Sequence, residues 1–352
     1  MKKVMVGLSG GVDSSVTAAR LQGLGYEVIG VFIKVWHPDF LVCDWETERR
    51  DAMYVAAHLG IPFLTCDAEE VYYKDVAQYF IEAYRSGLTP NPDVMCNRAV
   101  KFGIFWEYAQ SLGIDYIATG HYAQNIYNQK TESHELHRGI DENKDQSYFL
   151  WTLTNDDLDH ILFPIGDSNK NEIRTEANKY GLPTARKADS QGICFLGHVD
   201  IPNFLSNFIS LEPGLVLDEY GSSIGIHQGS VCYTIGQRHG FSVHAAPYAG
   251  IPLYILAIDH KLNQLIVGPR PPIYEPKTEI NLVQVNVTAI VTDSVECEVQ
   301  LRYRQKPLPA LLKKTSSGQV TVTLQKSTEQ AAPGQSCVLY QGNHCIGGGI
   351  IK

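Results

Sequence analysis

The sequence predicts an α/β fold: a parallel-sheet N-terminal domain, a small mixed central domain and a C-terminal antiparallel β-barrel. Three observations predict it. Up to about residue 120, short apolar runs alternate with helix-spaced segments. After about residue 200, glycines become frequent (Gly214, Gly221, Gly225, Gly229, Gly236, Gly240) and separate short strand-like runs. From about residue 277, apolar and polar residues alternate through β-branched stretches punctuated by turn residues. Alternating strands and helices build a parallel sheet covered on both faces. Period-two strands separated by turns suit an antiparallel barrel. The 352 residues divide in this reading into 1–200, 201–272 and 273–352, with the proline-rich stretch Pro269 to Pro276 at the second junction.

The elements follow in order. Lys3 to Leu8 reads as a buried strand, and Val16 to Leu21 as the first turns of a helix. Glu27 to Lys34 is a second strand. Glu46 to Leu59 has helical spacing, with Met53, Ala56 and Ala57 on its apolar side, and Ile61 to Cys66 is a third strand. Glu69 to Arg85 is a longer helix turning Val71, Val76, Phe80, Ile81 and Tyr84 to the core. Lys101 to Leu112 is another helix, and Asp115 to Thr119 a fourth strand ending at Gly120-His121. Residues 146–200 read as short helices and loops attached to this domain. Beyond 277, the runs Glu279 to Val283, Glu296 to Leu301 and Gln319 to Leu324 are barrel strands.

The run Ser9-Gly10-Gly11-Val12-Asp13-Ser14-Ser15 lies between the first strand and the first helix. Glycine lets a backbone approach a ligand closely. The first amides of a helix lack partners within it, and the dipole there favours an anion. The expected guest is a phosphate group, with an ordinary Gly-Ser helix cap as the alternative. No Lys-Ser/Thr follows the glycines, so this is not a Walker loop. The spacing is not Gly-x-Gly-x-x-Gly, which argues against a dinucleotide. In parallel sheets ligands bind outside the carboxyl ends of the strands. The loop, Lys34 and Gly120-His121 all fall there.

Bulk properties set bounds. Hydrophobic residues make up 44% and charged residues 19%, as in a globular protein. No apolar run is long enough to span a bilayer, and the N-terminus enters the first strand at once, so we expect a cytoplasmic protein without a signal peptide. The formal charge of −9 argues against general nucleic-acid affinity, although a local basic groove can still hold phosphates. The eight cysteines form no close CxxC pair, so no metal site is expected. Cys43, Cys66, Cys232, Cys297, Cys337 and Cys345 read as small buried hydrophobes.

Two cysteines read differently. Cys96 follows Asn91-Pro92-Asp93, a rigid turn-forming stretch, and precedes Asn97, Arg98 and Lys101 at the opening of a helix. A helix N-terminus with nearby cations lowers a thiol pKa. Cys194 follows the basic pair Arg186-Lys187. Either alone would suit a buried thiol. Beside a loop that resembles the pyrophosphatase loop of ATP-cleaving ligases, the pair suggests sulfur chemistry.

The motifs Gly7-Leu8-Ser9-Gly10-Gly11-Val12-Asp13-Ser14-Ser15, Asn91-Pro92-Asp93-x-x-Cys96-Asn97, Ala118-Thr119-Gly120-His121-Tyr122, Lys144-Asp145-Gln146-Ser147-Tyr148-Phe149-Leu150 and Gly192-Ile193-Cys194-Phe195 together resemble the bacterial tRNA-specific 2-thiouridylase family. Thr234-x-Gly236-Gln237-Arg238-x-Gly240, Arg302-Tyr303-Arg304-Gln305, Pro333-Gly334-Gln335 and Gly347-Gly348-Gly349 extend the resemblance to the C-terminus. It implies an adenine nucleotide alpha hydrolase-like domain that uses ATP, with magnesium, to adenylate C2 of a wobble uridine in tRNA. A persulfide then delivers sulfur to C2, and AMP leaves.

By the same resemblance Cys194 carries the persulfide, loaded by a sulfur relay protein or a cysteine desulfurase. Cys96 cleaves the S–S bond, leaving a transient Cys96–Cys194 disulfide. Asp93 is a general acid/base, or else a turn cap. Gly7, Leu8, Ser9, Gly10, Gly11, Val12, Asp13 and Ser14 line the phosphates, with Asp13 on magnesium. Gly120 lies near the nucleotide. Ile33 contacts adenosine through its backbone, in a Phe-Ile-Lys-Val-Trp stretch where the family has Phe-Met-Lys-Asn-Trp. Asn91, Pro92 and Asp93 meet the flipped uridine.

His121, Lys144, Asp145, Gln146, Arg302, Tyr303 and Gln341 are implied tRNA contacts. Structural hydrogen bonds at His121 and Gln341, and a solvated loop at Lys144 to Gln146, remain alternatives. Arg302 and Arg304 would share one face of a strand. Basic candidates for the groove are Arg98, Lys101, Arg138, Arg174, Arg186, Lys187, Arg238, Arg302 and Arg304. The rivals are an amidating ligase with the same loop, and a non-catalytic tRNA-binding or redox module.

Overall fold

The computed structural model describes the chain apart from residues 42–44, 189–200, 249, 272–276, 289–293, 315–319 and 329–330. Cys43, Cys194 and most of the proline-rich junction therefore lie outside the described residues. The first seven strands are β1 (Lys3–Gly7), β2 (Glu27–Lys34), β3 (Phe63–Asp67), β4 (Tyr116–Ala118), β5 (Ala123–Asn128), β6 (Ser133–Arg138) and β7 (Ile161–Leu162). Five of them form one sheet in the order β3-β2-β1-β4-β7, with every neighbouring pair parallel. Val4, Met5 and Val6 of β1 are fully buried. Helices cover both faces, which is why this strand is a continuous apolar run rather than an alternating one. The chain moves outward from β1 through β2 to β3, then returns to β4 on the other side. That reversal opens a crevice at the carboxyl ends of β1 and β4.

Two helical segments differ from expectation. Glu69 to Arg85 is helical throughout, but a π-helical stretch occupies Tyr73–Ala77, and Phe80, Ile81 and Tyr84 face the central domain rather than the sheet. The helix expected from Lys101 begins at Pro92: Pro92–Cys96, π-helical Asn97–Ile104 and Phe105–Ser111 run on as one segment. Asn91 starts it, its Oδ1 accepting from the Val94 N–H at 3.4 Å. A proline at the first helical position has no amide to waste and a preset φ. The same two residues that suggest a loop are thus a helix start.

The central domain holds β8 (Gly214–Leu217), β9 (Ser223–His227), β10 (Ser242–Val243), β11 (Tyr254–Asp259) and β12 (Gln264–Gly268), in the order β10-β9-β8-β12-β11. Its core of Val216, Ile224, Ile255, Leu265 and Val267 packs on Phe80, Ile81 and Tyr84.

The last six strands are β13 (Lys277–Val287), β14 (Ser294–Gln300), β15 (Leu308–Lys314), β16 (Val320–Thr328), β17 (Ser336–Gln341) and β18 (His344–Ile351). They run β13-β16-β15-β14-β17-β18, and pairing of β13 with β18 closes the antiparallel barrel. The hairpin of β5 and β6, which no sequence signal announced, joins the barrel at a bridge between His137 and His344. Val338, Tyr340 and Ile350 of the barrel share a core with Met5, Ile117 and Trp151. Asn286 Nδ2 donates to the carbonyls of Trp151 and Leu153, both at 3.0 Å. Among the described residues no helix is long and apolar enough to cross a membrane.

Candidate active site

The glycine-serine loop sits at the crevice. Gly10 has φ +71°, and a side chain there would press 2.7 Å from the Glu48 carbonyl, so only glycine suits the turn. Gly11 occupies the cap position of the Val12–Gly23 helix and has no side chain with which to cap it. The Ser14 and Ser15 hydroxyls donate back to the Gly11 carbonyl at 3.1 and 2.7 Å, and Ser9 N–H donates to Ser14 Oγ at 3.3 Å. These bonds pin the loop at the N-terminus of the Val12–Gly23 helix, the kind of position at which free amides can hold an anion. Gly120, at the end of β4, abuts the loop: a methyl group there would lie 2.8 Å from Ser14 N. Ile33, the penultimate residue of β2, is buried, its Cδ1 3.7 Å from where a side chain on Gly7 would begin.

Asp13 is a junction. Tyr122 Oη donates to its Oδ1 at 2.8 Å, and Lys170 Nζ lies 2.8 Å from each carboxylate oxygen. Lys170 opens the Lys170–Lys179 helix. It was not anticipated, because nothing local marks it: it reaches the loop only through the fold. It places a cation beside a loop that, unlike a Walker loop, carries no lysine of its own. Thr184 Oγ1 donates to Ser15 Oγ at 2.9 Å, and Lys187 Nζ donates to Asp51 at 2.6 Å. Arg174 Nη1 donates to the carbonyls of Ala185 and Lys187. The chain leading toward Cys194 is thereby tied beside the loop as far as Lys187.

Thr89, two residues before Asn91, is held by the central domain and the barrel. Pro333 carbonyl accepts from Thr89 N–H at 3.1 Å, Gln335 Nε2 donates to the Thr89 carbonyl at 2.8 Å, and Thr89 and Thr234 hydroxyls meet at 3.2 Å. The Pro333-Gly334-Gln335 and Thr234 motifs therefore anchor the residue that leads into the Asn91–Cys96 stretch. Asn91, Pro92 and Asp93 are half-buried at the first helical turn. Cys96 is wholly buried, in a core with Met95, Val100 and Phe102. The expected helix N-terminus is displaced: the helix starts at Pro92, so Cys96 lies one turn inside it, while Arg98 is exposed and Lys101 Nζ lies 3.5 Å from His121 Nε2. That contact links the helix carrying Cys96 to the residue after Gly120.

The implied tRNA contacts separate into two groups. His121 is buried, its Nδ1 2.7 Å from Thr119 Oγ1. Burial, with the Lys101 ammonium beside it, holds its pKa well below the ordinary imidazole value, so it is neutral at physiological pH. Asp145 is not in a solvated loop. Its Oδ1 accepts from the Gly139 and Ser147 amides, and its Oδ2 pairs with Arg138 at 3.1 Å. Gln146 bonds both the N–H and the carbonyl of Tyr122.

Arg138 stacks over Tyr340 at 3.5 Å and also donates to Gln300. Arg138, Arg174 and Lys187 are thus spent on structure rather than lining a groove. Arg302, Tyr303 and Arg304 lie in a turn between β14 and β15, not on a strand, and Arg304 has φ +62°. The turn is fixed by Gln305 Oε1, which accepts from the Leu301 and Arg302 amides. Tyr303 packs on Phe149 at 4.5 Å, and the turn lines an open depression of about 480 Å³. Gln341 is exposed, its Nε2 donating to the Glu296 carbonyl at 3.2 Å. Lys144 follows Asp141 in the turn before Asp145.

One expected result follows from the Asp145 pair. Asp145→Ala leaves Arg138 uncompensated in a largely buried place, a change that costs about 3–5 kcal/mol. Thermal denaturation should register it as a large fall in Tm, with little change in the ATP KM of the protein that remains folded.

Five further cysteines are described. Cys66, Cys232, Cys297, Cys337 and Cys345 are buried, as expected from the sequence. Burial pushes the Cys66 and Cys297 thiols up to about 11 and Cys345 to about 12, and raises Cys337 as well.

Three family profiles tile the chain: a tRNA methyl transferase HUP domain over residues 2–198, a tRNA methyl transferase PRC-barrel domain over 202–269 and an aminomethyltransferase beta-barrel domain over 277–351. A tRNA-specific 2-thiouridylase MnmA of Lysinibacillus sphaericus is 42% identical over 356 residues, spanning 99% of this chain and 94% of its own. The chain belongs to the tRNA-specific 2-thiouridylase MnmA family. MnmA proteins of Enterococcus faecalis and Bacillus subtilis match at 41% and 40% identity, again over 99% of the chain and 95% and 94% of their own. Among solved structures, a 4-thiouridine synthetase–RNA complex with bound ATP overlaps 58% of this chain and 50% of that one, at 18% identity and a TM-score of 0.38. Membership in the MnmA family extends over all three domains, so the contacts that anchor Thr89 lie wholly within the matched region.

Proposed function

We propose that this chain is a tRNA-uridine 2-sulfurtransferase that uses ATP to convert the wobble uridine to 2-thiouridine, releasing AMP and pyrophosphate. One observation carries the reading: a loop built for phosphates and a helix start bearing Cys96 are joined through Gly120, His121 and Lys101 at a single crevice. Family membership over the whole chain supports it.

The chemistry needs both parts. C2 of uridine is a urea-like carbonyl, a weak electrophile with a poor leaving group. In the proposed course its oxygen attacks the α-phosphorus of ATP and pyrophosphate leaves. The residues from Gly7 to Ser14, with the amides opening the Val12–Gly23 helix, hold the phosphates, and Lys170 balances their charge. Ile33 and Gly120 border the adenosine. Asp13 is an oxygen donor of the kind magnesium takes together with phosphate oxygens, and it would hold an ion carried in with ATP once Lys170 shifts from the carboxylate to the phosphates.

Asn91 and Pro92 would receive the uridine once it is flipped from its stack, with Asp93 moving a proton beside it. The terminal sulfur of a Cys194 persulfide attacks C2 and AMP leaves. Cys96 thiolate then attacks the inner sulfur, freeing 2-thiouridine and leaving a Cys96–Cys194 disulfide for an external thiol to reduce. A sulfur relay protein or cysteine desulfurase reloads Cys194. His121, Lys144, Arg302, Tyr303 and Gln341 are proposed tRNA contacts, whereas Asp145 and Gln146 act by shaping the loop that presents Lys144. The domain limits 1–200, 201–272 and 273–352 complete the proposal, with the barrel on the tRNA stem and the compartment cytoplasmic.

A single-turnover incubation tests this, with an unmodified tRNA transcript, magnesium-ATP and a cysteine desulfurase supplied with cysteine. Mass spectrometry of the digested tRNA should find 2-thiouridine at the wobble position, stoichiometric with AMP and pyrophosphate. AMP and pyrophosphate without 2-thiouridine would favour the amidating ligase. Retention of tRNA without pyrophosphate release would favour a non-catalytic module. Binding should also weaken as salt rises, because phosphate contacts release counterions. Filter binding across a salt series checks this, and a flat response would contradict phosphate-mediated binding.

A further inference from the structure

Away from the crevice, three ligand-type side chains converge where the N-terminal hairpin meets the barrel. Glu135 and His137 lie two residues apart on β6 and so share one face. His344 on β18 is the direct cross-strand partner of His137. Glu135 Oε2 lies 3.0 Å from His137 Nε2 and 3.7 Å from His344 Nδ1, and all three donor atoms lie within 4.8 Å of one another. The two imidazoles are stacked, 5.2 Å apart and 9° from parallel. We propose that Glu135, His137 and His344 form a divalent transition-metal site, of zinc type, that staples the N-terminal hairpin to the barrel.

The chemistry of the donor set favours this class of ion. Two imidazoles and one carboxylate are a standard zinc set, and they suit magnesium or calcium poorly. Ligand atoms about 2.0–2.1 Å from a tetrahedral zinc stand roughly 3.3 Å apart, near the two carboxylate–imidazole separations, and a turn of the stacked rings would bring both imidazole lone pairs onto one ion. The side chains are 13–21% exposed, sheltered enough to exclude competing solvent and open enough to leave a fourth position for water. Glu135 is also oriented from behind: Asn128 Nδ2 donates to its other oxygen at 2.6 Å. Such outer contacts hold a ligand in place for its metal. Binding would add strength at a seam where β6 and β18 share a single bridged pair. The lack of close cysteine pairs has no bearing on a histidine–carboxylate set. This set is assembled by strand pairing between distant parts of the chain, which no local spacing reveals.

The test uses the full chain, stripped with chelator and titrated with zinc by calorimetry and with cobalt by absorption. One equivalent should bind with a weak cobalt d–d spectrum lacking a thiolate charge-transfer band, which separates this site from Cys96 and Cys194. Zinc should raise Tm. His344→Ala and Glu135→Gln should each weaken binding at least ~100-fold and abolish the Tm rise. If His344→Ala does not fold, Glu135→Gln and the wild-type cobalt spectrum decide. Absent binding at micromolar metal, a thiolate band, or affinity unchanged in the folded variants would overturn the site. Because binding is read without tRNA or ATP, its failure would leave the proposed sulfur transfer untouched.

Discussion

Cys96→Ser is expected to stop 2-thiouridine formation while ATP cleavage continues. Serine nearly matches cysteine in shape, but its hydroxyl is not ionised near neutral pH and cannot open a persulfide, a reaction that belongs to thiolates. Loss of a nucleophile of this kind lowers turnover by at least ~10³-fold. Adenylation uses the phosphate loop and not this thiol, so AMP and pyrophosphate should still appear when tRNA is present. Cys96 is wholly buried. The substitution therefore places a hydroxyl in an apolar core at a cost of about 1–3 kcal/mol, which a thermal melt will show. Burial has a second consequence. The sulfur must become accessible during turnover, so iodoacetamide should label Cys96 faster when tRNA and ATP are bound than in the free protein. Wild-type amounts of 2-thiouridine from Cys96→Ser would remove this residue from the mechanism.

What the sequence could announce here depended on whether a signal is local. The loop from Ser9 to Ser15 is legible because strand, glycines and helix are contiguous, and β2 runs from Glu27 to Lys34 as its apolar pattern requires. Partnerships across the fold were not legible. Lys170 meets Asp13, Arg138 meets Asp145 and Tyr340, and Gln335 meets Thr89, in each case because folding joins segments that composition treats separately. Two departures from expectation share a cause. Pro92 suits a loop by its residue type yet starts a helix, and Arg302 to Arg304 alternate as a strand would yet form a turn in which Arg304 is left-handed. Both positions carry residue types compatible with two local structures, and the tertiary setting chose.

Gly120→Ala is expected to have the second largest effect, and through shape alone. A methyl group at Gly120 would lie 2.8 Å from Ser14 N and 2.9 Å from the Asp13 carbonyl carbon. Both are backbone atoms at the start of the Val12–Gly23 helix, so no side-chain rotation can relieve the contact. The helix start or the end of β4 must shift. Overpacking of this kind costs about 1–3 kcal/mol, which leaves the fold intact. The larger consequence is positional. The loop amides, Asp13 and the Lys101–His121 contact all sit around this glycine, and a misplacement near 1 Å lowers rates by about 100-fold. Pyrophosphate release, and with it thiolation, should fall by about that factor, while tRNA affinity at fixed salt stays near wild type. Gly23→Ala is the control: it lies at the other end of the same helix, where an added methyl meets nothing within 4 Å. It should leave activity unchanged and stability equal or slightly higher. Wild-type pyrophosphate release from Gly120→Ala would mean that ATP is cleaved somewhere other than this crevice.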